Sequence, residues 1–340
     1  MTDFRILTPD AQYQDDAEVE RRTAGRGFEF NIHRVRDMAD VPVGQLAGAH
    51  ALVVWHEVTL APDVIRRLDN CRIVVRAGVG FDNVDLRASG DAGIPVCNTP
   101  DYGTSEVADH ALGMLLSLRR GLNYYDARLR RDPVGEFHWA GPPLIGRVRG
   151  TRLGIVGLGR IGTATALRAR AFGMEVLFHD PYVARGQEIA LGIRRVDRLE
   201  TLLEQVDALS LHTPLTDETR QLINSECLGR MPSHAVLINT ARGELVDVDA
   251  LYEALIHGRI AGAALDVLPE EPPAATWPLI QAVRAGDERL RDRVMLTPHA
   301  AWYSPESQTD LRRLSVETAV FYLRDGVLRN CVNAHLLKSA

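Results

Sequence analysis

Short apolar runs alternate with stretches whose apolar residues recur at helical spacing, and the alternation continues along nearly the whole chain. In the first part, Phe4–Leu7, Ala51–Trp55, Arg72–Arg76 and Ile94–Cys97 read as strands, with helices at Ala61–Leu68 and Asn83–Asp91. Strands this short and this apolar indicate a parallel sheet covered by helices on its faces. Ser105–Arg120 predicts a long helix, because Val107, Ala108, Ala111, Leu112, Leu115 and Leu116 fall on one side of it. A loop rich in Gly, Pro and aromatic residues, Asp132–Pro143, precedes a second series. Its strands are predicted at 153–156, Glu175–Phe178, Ala208–His212, Val236–Thr240, Ala261–Val267 and Val294–Thr297. Its helices are predicted at Thr163–Phe172, Val248–His257 (stopped by Gly258) and Ser304–Arg324. No repeat or low-complexity linker interrupts this pattern. The last helix is expected to return to the first layer, giving a discontinuous domain of 1–103 plus 303–340 and a second domain of 104–302.

Composition narrows the class. The 340 residues are 46% hydrophobic and 25% charged, ordinary for a globular protein with a full core. A formal net charge of −6 and the lack of a long basic run argue against nucleic acid or an anionic membrane as partner. Cys71, Cys97, Cys227 and Cys331 lie far apart with no C-x-x-C spacing, so a disulfide framework is not expected and neither is a metal. The N-terminus lacks a signal-peptide core and no apolar stretch approaches membrane-spanning length, so a cytoplasmic location is expected.

The most specific local signal lies almost halfway along the chain. An apolar strand runs into Gly157-Leu-Gly-Arg-Ile-Gly162, a helix follows, and the next strand ends at Asp180. This order of strand, glycine turn, helix, strand and acid is the pattern of a dinucleotide-binding unit. Gly157 permits the tight turn, Gly159 lets the backbone approach a pyrophosphate, and Gly162 lets helix and strand pack closely. The anion then sits at the helix N-terminus, where free N–H groups and the helix dipole favour it. A carboxylate at Asp180 accepts from the ribose hydroxyls and repels a 2′-phosphate, which favours NAD over NADP. The plainer reading of Asp180 is a solvated acid before Pro181.

Ligands of open α/β sheets bind beyond the carboxyl ends of the strands. His212-Thr213-Pro214, Thr240-Ala241-Arg242-Gly243, Asp266 with Glu270-Glu271-Pro272, and Pro298-His299 all fall there. Reducing a 2-oxo acid asks for a planar cation to hold the carboxylate, an imidazole to deliver a proton, and an acid to orient that imidazole. Arg242, His299 and Glu271 match those needs. Each has a plainer reading: a turn cap, a satisfied buried histidine and a solvated loop acid. By themselves the residues support an NAD-linked oxidoreductase and nothing narrower.

The segments Gly157–Gly162, Leu211-His-Thr-Pro-Leu-Thr216, Ile238-Asn-Thr-Ala-Arg-Gly243, Ala264-Leu-Asp-Val-Leu-Pro-Glu-Glu-Pro272 and Leu296-Thr-Pro-His299 resemble the D-isomer-specific 2-hydroxyacid dehydrogenases, in that family's order and spacing. The resemblance extends from about Ala51 to Asn333. It implies an α/β fold of two Rossmann-like or flavodoxin-like parallel-sheet domains with an active-site cleft between them, an NAD cofactor and a homodimer formed through the NAD-binding domain. It also implies that Arg242 binds substrate, that His299 is the acid–base group and that Glu271 supports it. Cofactor contacts are implied for Val156, Gly157, Leu158, Gly159, Arg160, Ile161, Gly162, Asp180, Thr213, Pro214, Thr219, Thr240, Ala241, Arg242, Asp266, His299 and Ala301. A nearer likeness, carried by Arg76-Ala-Gly-Val-Gly-Phe-Asp-Asn83, Asp180-Pro-Tyr182, His299-Ala-Ala-Trp-Tyr-Ser304 and Asn330-Cys-Val-Asn333, is to the C-terminal-binding-protein branch of NAD(H)-binding corepressors. That likeness adds Arg76, Gly78, Gly80, His56 and Trp302 as substrate-pocket residues. An indole at Trp302 would favour an apolar or thioether substrate side chain, and its plainer reading is a core aromatic. Val79 and Val107 depart from the family's serine and threonine and remove two hydroxyl contacts.

Two functions from different classes follow. One is an NAD-dependent dehydrogenase acting on a small 2-hydroxy or 2-oxo acid. The alternative is an NAD(H)-sensing corepressor or scaffold with little turnover. The absence of a long tail or docking extension favours the enzyme, and the absence of a C-terminal regulatory domain disfavours phosphoglycerate dehydrogenase proper.

Overall fold

The computed structural model describes residues 4–139 and 141–337. The chain divides into two compact units, one of Met1–Gly103 with Tyr303–Ala340 and one of Thr104–Trp302.

The first unit runs β1 (Phe4–Thr8), α1 (Glu18–Ala24), β2 (Phe28–Ile32), α2 (Val43–Gly48), β3 (Ala51–Val54), α3 (Pro62–Ile65), β4 (Ile73–Arg76), α4 (Leu86–Asp91) and β5 (Val96–Asn98). Its five strands are parallel in the order β2-β1-β3-β4-β5, so the direction of strand addition reverses between β1 and β3. Leu7, Leu52, Val54, Val74 and Val96 share one buried cluster with Leu46, Leu60 and Ile65 from the covering segments. The edge strand β2 and helix α1 have no counterpart in the sequence reading. Polar residues alternate with the aromatics of Phe28-Glu-Phe-Asn-Ile32, and burial there is partial.

A long helix from the far end of the chain completes this unit. It begins at a capping box in which Ser304 and Ser307 exchange side-chain and backbone hydrogen bonds, with Pro305 in the first turn. Arg312 on it is buried between two carboxylates, Asp15 (2.7 Å) and Glu20 (2.6 Å), and its guanidinium lies 3.6 Å from the centre of the Tyr13 ring. Asn333, fully buried, accepts from the Val96 N–H at 2.8 Å and donates to the Ile94 carbonyl at 3.0 Å.

The second unit runs α5 (Thr104–Arg120), α6 (Leu122–Arg131), β6 (Arg152–Val156), α7 (Arg160–Ala171), β7 (Glu175–His179), α8 (Gln187–Leu191), β8 (Arg194–Arg195), α9 (Leu199–Leu203), β9 (Ala208–Leu211), α10 (Ser225–Arg230), β10 (Val236–Asn239), α11 (Val248–Ile256), β11 (Gly262–Leu265), α12 (Pro278–Ala285) and β12 (Val294–Leu296). The long C-terminal helix of the first unit is then α13 (Pro305–Asp325). Seven parallel strands follow the order β12-β11-β10-β9-β6-β7-β8, which reverses between β6 and β9. The period-two alternation of the strands separates two cores. Leu153, Ile155, Phe178, Ala208, Val236 and Ile238 pack on one face. Leu177, Leu209, Leu211, Leu237, Ala263 and Leu265 pack on the other. Helix α6 was not anticipated, because none of its residues is buried and its few apolar residues stand among charged ones.

Candidate functional site

The glycine turn joins β6 to α7 at the β6/β9 reversal, the position where a doubly wound sheet opens a crevice for ligand. Gly157 has φ +89°, and a Cβ there would lie 2.7 Å from the Thr213 nitrogen. A Cβ on Gly162 would lie 2.1 Å from the Gly157 carbonyl oxygen, so helix and turn touch through this residue. Gly159 is different: a Cβ there meets nothing within 4 Å, which leaves room for a ligand at the N-terminus of α7. Asp180 stands beside this turn. Its Oδ2 accepts from the Leu158 N–H at 2.8 Å, and its Oδ1 accepts from the Tyr182 and Val183 N–H groups at 2.9 and 3.1 Å. The acid therefore ties the end of β7 to the glycine turn.

The loop after β9 carries Thr213, Pro214 and Thr219. Thr219 Oγ1 accepts from the Thr216 N–H and donates to the Pro214 carbonyl, at 2.8 and 2.7 Å, so this loop is braced from within. At the end of β10, Thr240 is buried and its Oγ1 has no hydrogen-bond partner among the described residues. An orphaned hydroxyl and an open glycine on the same crevice fit the residues to a dinucleotide. Ala241 and Arg242 follow Thr240. The side chain of Asn239, buried at 1% exposure, accepts from the Ala241 N–H at 3.0 Å and donates to the Arg242 carbonyl at 2.8 Å, which fixes the turn presenting Arg242. The next residue has no clearance. A Cβ on Gly243 would lie 1.9 Å from the Leu268 carbonyl carbon and 2.2 Å from the Pro269 nitrogen. The Arg242 turn thus abuts the loop that carries Glu271.

In that loop, Glu271 Oε1 accepts from the Leu268 N–H at 3.0 Å and Oε2 pairs with His299 Nδ1 at 2.6 Å. His299 adopts a left-handed backbone (φ +51°), uncommon for a residue with a β-carbon. Its N–H donates to the Asp266 carbonyl at 2.7 Å. The Asp266 carboxylate accepts from the Thr297 hydroxyl and from the Ala300 and Ala301 N–H groups, the latter two at 2.9 Å. His110 on α5 adds a hydrogen bond to the Thr297 hydroxyl at 3.1 Å. Asp266, 2% exposed, is therefore the post on which the 297–301 loop hangs. Trp302 ends this unit, half-buried.

The first unit holds the other expected residues at its own strand ends. Arg76 ends β4, is 7% exposed and donates to the Ala77 carbonyl; Gly78 and Gly80 follow. His56 follows β3 with its side chain exposed. Asp10, 1% exposed, accepts from the N–H groups of Trp55 (2.8 Å), Glu57 (3.1 Å) and Val58 (3.2 Å). Asn83 donates to the carbonyls of Trp55 and Val58 at 2.9 and 2.8 Å. The loop bearing His56 is clamped from both sides. Burial raises the Asp10 pKa, and the three N–H groups and the Arg76 charge oppose that.

Within the second unit Glu271 and His299 pair directly and the Arg242 turn abuts the Leu268–Pro269 end of the Glu271 loop, with the glycine turn and Asp180 on the same sheet. The supporting residues Asn239, Thr297, His110, Asp10 and Asn83 escaped the sequence reading. Asn239, Thr297 and Asn83 lie inside quoted motifs without being singled out, and His110 and Asp10 are single polar residues with no period to mark them.

Residues 112–301 match the model of the D-isomer specific 2-hydroxyacid dehydrogenase NAD binding domain. The chain is 36% identical to a D-3-phosphoglycerate dehydrogenase of Methanocaldococcus jannaschii over 97% of its own length, and it spans 59% of that relative. It is 39% identical to a glyoxylate reductase of Korarchaeum cryptofilum, over 88% of this chain and 87% of the relative. Among solved structures, a D-lactate dehydrogenase of Aquifex aeolicus, complexed with NAD and lactic acid, superposes with a TM-score of 0.83 at 29% identity, covering 94% of this chain and 95% of that one. An NADPH-dependent glyoxylate/hydroxypyruvate reductase of Sinorhizobium meliloti, complexed with NADP and malonate, gives a TM-score of 0.83 at 31% identity over the full length of both.

Proposed function

Because the chain belongs to the D-isomer specific 2-hydroxyacid dehydrogenase family, we propose that it interconverts a 2-oxo acid and its D-2-hydroxy acid with NAD(H). The observation that carries this reading is the 2.6 Å Glu271–His299 pair beside the Arg242 turn, in the unit that holds the glycine fingerprint. The relatives named above are dehydrogenases and reductases, which favours turnover over a scaffold role.

NADH, when bound, supplies a hydride to C2 of the oxo acid. Arg242 holds the substrate carboxylate and polarises the carbonyl, as a guanidinium does well through two parallel N–H groups. His299, oriented by Glu271 through Nδ1, passes a proton from Nε2 to the carbonyl oxygen; the alcohol results, and oxidation runs the same path backwards. Such a positioned acid is worth roughly 10²–10⁴-fold in rate. From the first unit we assign substrate contacts to Arg76, His56 and the backbone at Gly78 and Gly80. Trp302, three residues beyond His299, favours an apolar or thioether side chain on the substrate. Asp180 favours NAD over NADP by its negative charge at the end of β7. We read the protein as a homodimer through its second unit, where Val134, Phe137 and Trp139 are 87%, 79% and 86% exposed after α6. Four free cysteines accord with a cytoplasmic location.

The test is NADH oxidation with glyoxylate, hydroxypyruvate and branched or thioether 2-oxo acids, for wild type and His299→Ala. A loss of at least a hundredfold in kcat on the preferred substrate is expected. Full rate in the variant on every substrate would remove His299 from its role.

A further inference from the structure

The second unit carries a polar contact that the proposed reaction does not use. Tyr182, three residues past the end of β7, donates its hydroxyl to the Glu218 carboxylate, which lies on the loop after β9. In the sheet order, β6 lies between β9 and β7. A contact from beyond β7 to beyond β9 therefore crosses the carboxyl end of β6, where the glycine turn sits. Both side chains are exposed, Tyr182 at 77%, whereas Asp180, which accepts from the Tyr182 N–H, is half-buried.

The two feet of this bridge are firm. The Tyr182 N–H is held by Asp180 Oδ1 at 2.9 Å, and the Glu218 loop is braced by the Thr219 hydroxyl between Thr216 and Pro214. Only two side chains need to rotate for the bridge to open or close, a motion of picoseconds to nanoseconds for exposed groups. The phenol is also held in its protonated, donating form: hydrogen bonding to Glu218, followed by that carboxylate's charge, raises its pKa.

We infer that Tyr182 and Glu218 form a strap that closes over the adenosine half of the dinucleotide, slowing its release and placing a second carboxylate near the 2′ position. This rests on the reading of the second unit as a dinucleotide site. A ligand laid on the glycine turn with its ribose at Asp180 passes beneath the bridge, and a 2′-phosphate meets Glu218 as well as Asp180.

The two functions separate by mutation. Tyr182→Phe removes the strap and leaves the charge. Glu218→Gln keeps an acceptor for the hydroxyl and removes the charge. NADH and NADPH binding are measured by equilibrium and stopped-flow fluorescence on the full chain, with thermal melting as the check on folding. For Tyr182→Phe, NADH release is expected to speed up by about three- to tenfold, the range for one partly exposed charged hydrogen bond, with the NADH-to-NADPH preference unchanged. For Glu218→Gln, the preference for NADH should fall, with release of NADH near the wild-type rate. Unchanged NADH release in Tyr182→Phe, or faster and tighter NADH binding by it, overturns the strap. An unchanged cofactor preference in Glu218→Gln overturns the charge role. Wild-type protein that binds neither dinucleotide refutes the dinucleotide reading itself, an outcome distinct from all of these.

Discussion

Gly243→Ala tests whether the Arg242 turn and the Glu271 loop act as one assembly. The added methyl would sit 1.9 Å from the Leu268 carbonyl carbon, 2.2 Å from the Pro269 nitrogen and 2.3 Å from the Leu268 oxygen. Carbon contacts settle at about 3.5–4.0 Å, so the two segments must part by roughly 1.5 Å. All three obstructing atoms are backbone, so no side-chain rotation relieves the clash. Overpacking of this kind costs about 1–3 kcal/mol. For a unit of this size, that is a fall in melting temperature of roughly 2–12 °C. The chemical penalty is larger, because a displacement near 1 Å within a reacting constellation costs about 10²-fold. Thr240 and Ala241, expected cofactor contacts, share the displaced turn, so NADH should bind more weakly as well, but by less than the loss in kcat/KM because the Gly157–Gly162 turn lies on a different strand. The assay is kcat/KM with glyoxylate beside an NADH fluorescence titration and a thermal melt. A kcat/KM within threefold of wild type, with an unchanged melting temperature, would refute the argument.

Gly159→Ala should melt like wild type, since its Cβ meets nothing, yet bind NADH at least tenfold more weakly because the methyl enters the space left for the ligand; undiminished NADH binding speaks against that use of the space. Gly162→Ala should do the reverse first, losing stability through the 2.1 Å clash with the Gly157 carbonyl. Asp10→Asn replaces an acceptor facing three N–H groups with an amide that presents its own donors. Substrate KM should rise with NADH affinity unchanged, and an unaltered KM would separate the His56 loop from substrate binding. Burial pulls the His212 pKa from 6.5 to about 3. Below about pH 6.5 the unfolded chain therefore takes up a proton that the folded one refuses. Stability then falls by up to about 1.4 kcal/mol per pH unit toward pH 3. His212→Gln should flatten that acid limb in urea titrations, and an identical limb in the variant would dismiss the assignment.

What the chain discloses by itself follows from how each feature is encoded. Strands such as Val236–Asn239 and Ala208–Leu211 are buried on both faces, so their apolar runs are visible without a partner. The edge strand β2 and helix α6, none of whose residues is fully buried, bury too little to leave a pattern. Arg242, Glu271 and His299 were visible because polar residues stand out at the ends of apolar strands. The residues that aim them were not. Thr297 acts through hydrogen bonds to Asp266 and His110, positions far apart in the chain, Asn239 through bonds within its own turn that leave no period to read, and Gly243 is required by the backbone of Leu268, which only the fold brings near.

Helix α13 has a consequence for synthesis of the chain. The first unit's sheet is finished at Asn98, but the helix that buries Arg312 between Asp15 and Glu20, and the Asn333 that ties Val96, arrive only after all of the second unit has been made. At about 5–20 residues per second, the ribosome leaves that sheet without its cover for roughly 10–40 s. The second unit, contiguous in sequence, can fold during that wait. A chain released before residue 305 would then carry a folded dinucleotide unit attached to a bare, aggregation-prone sheet.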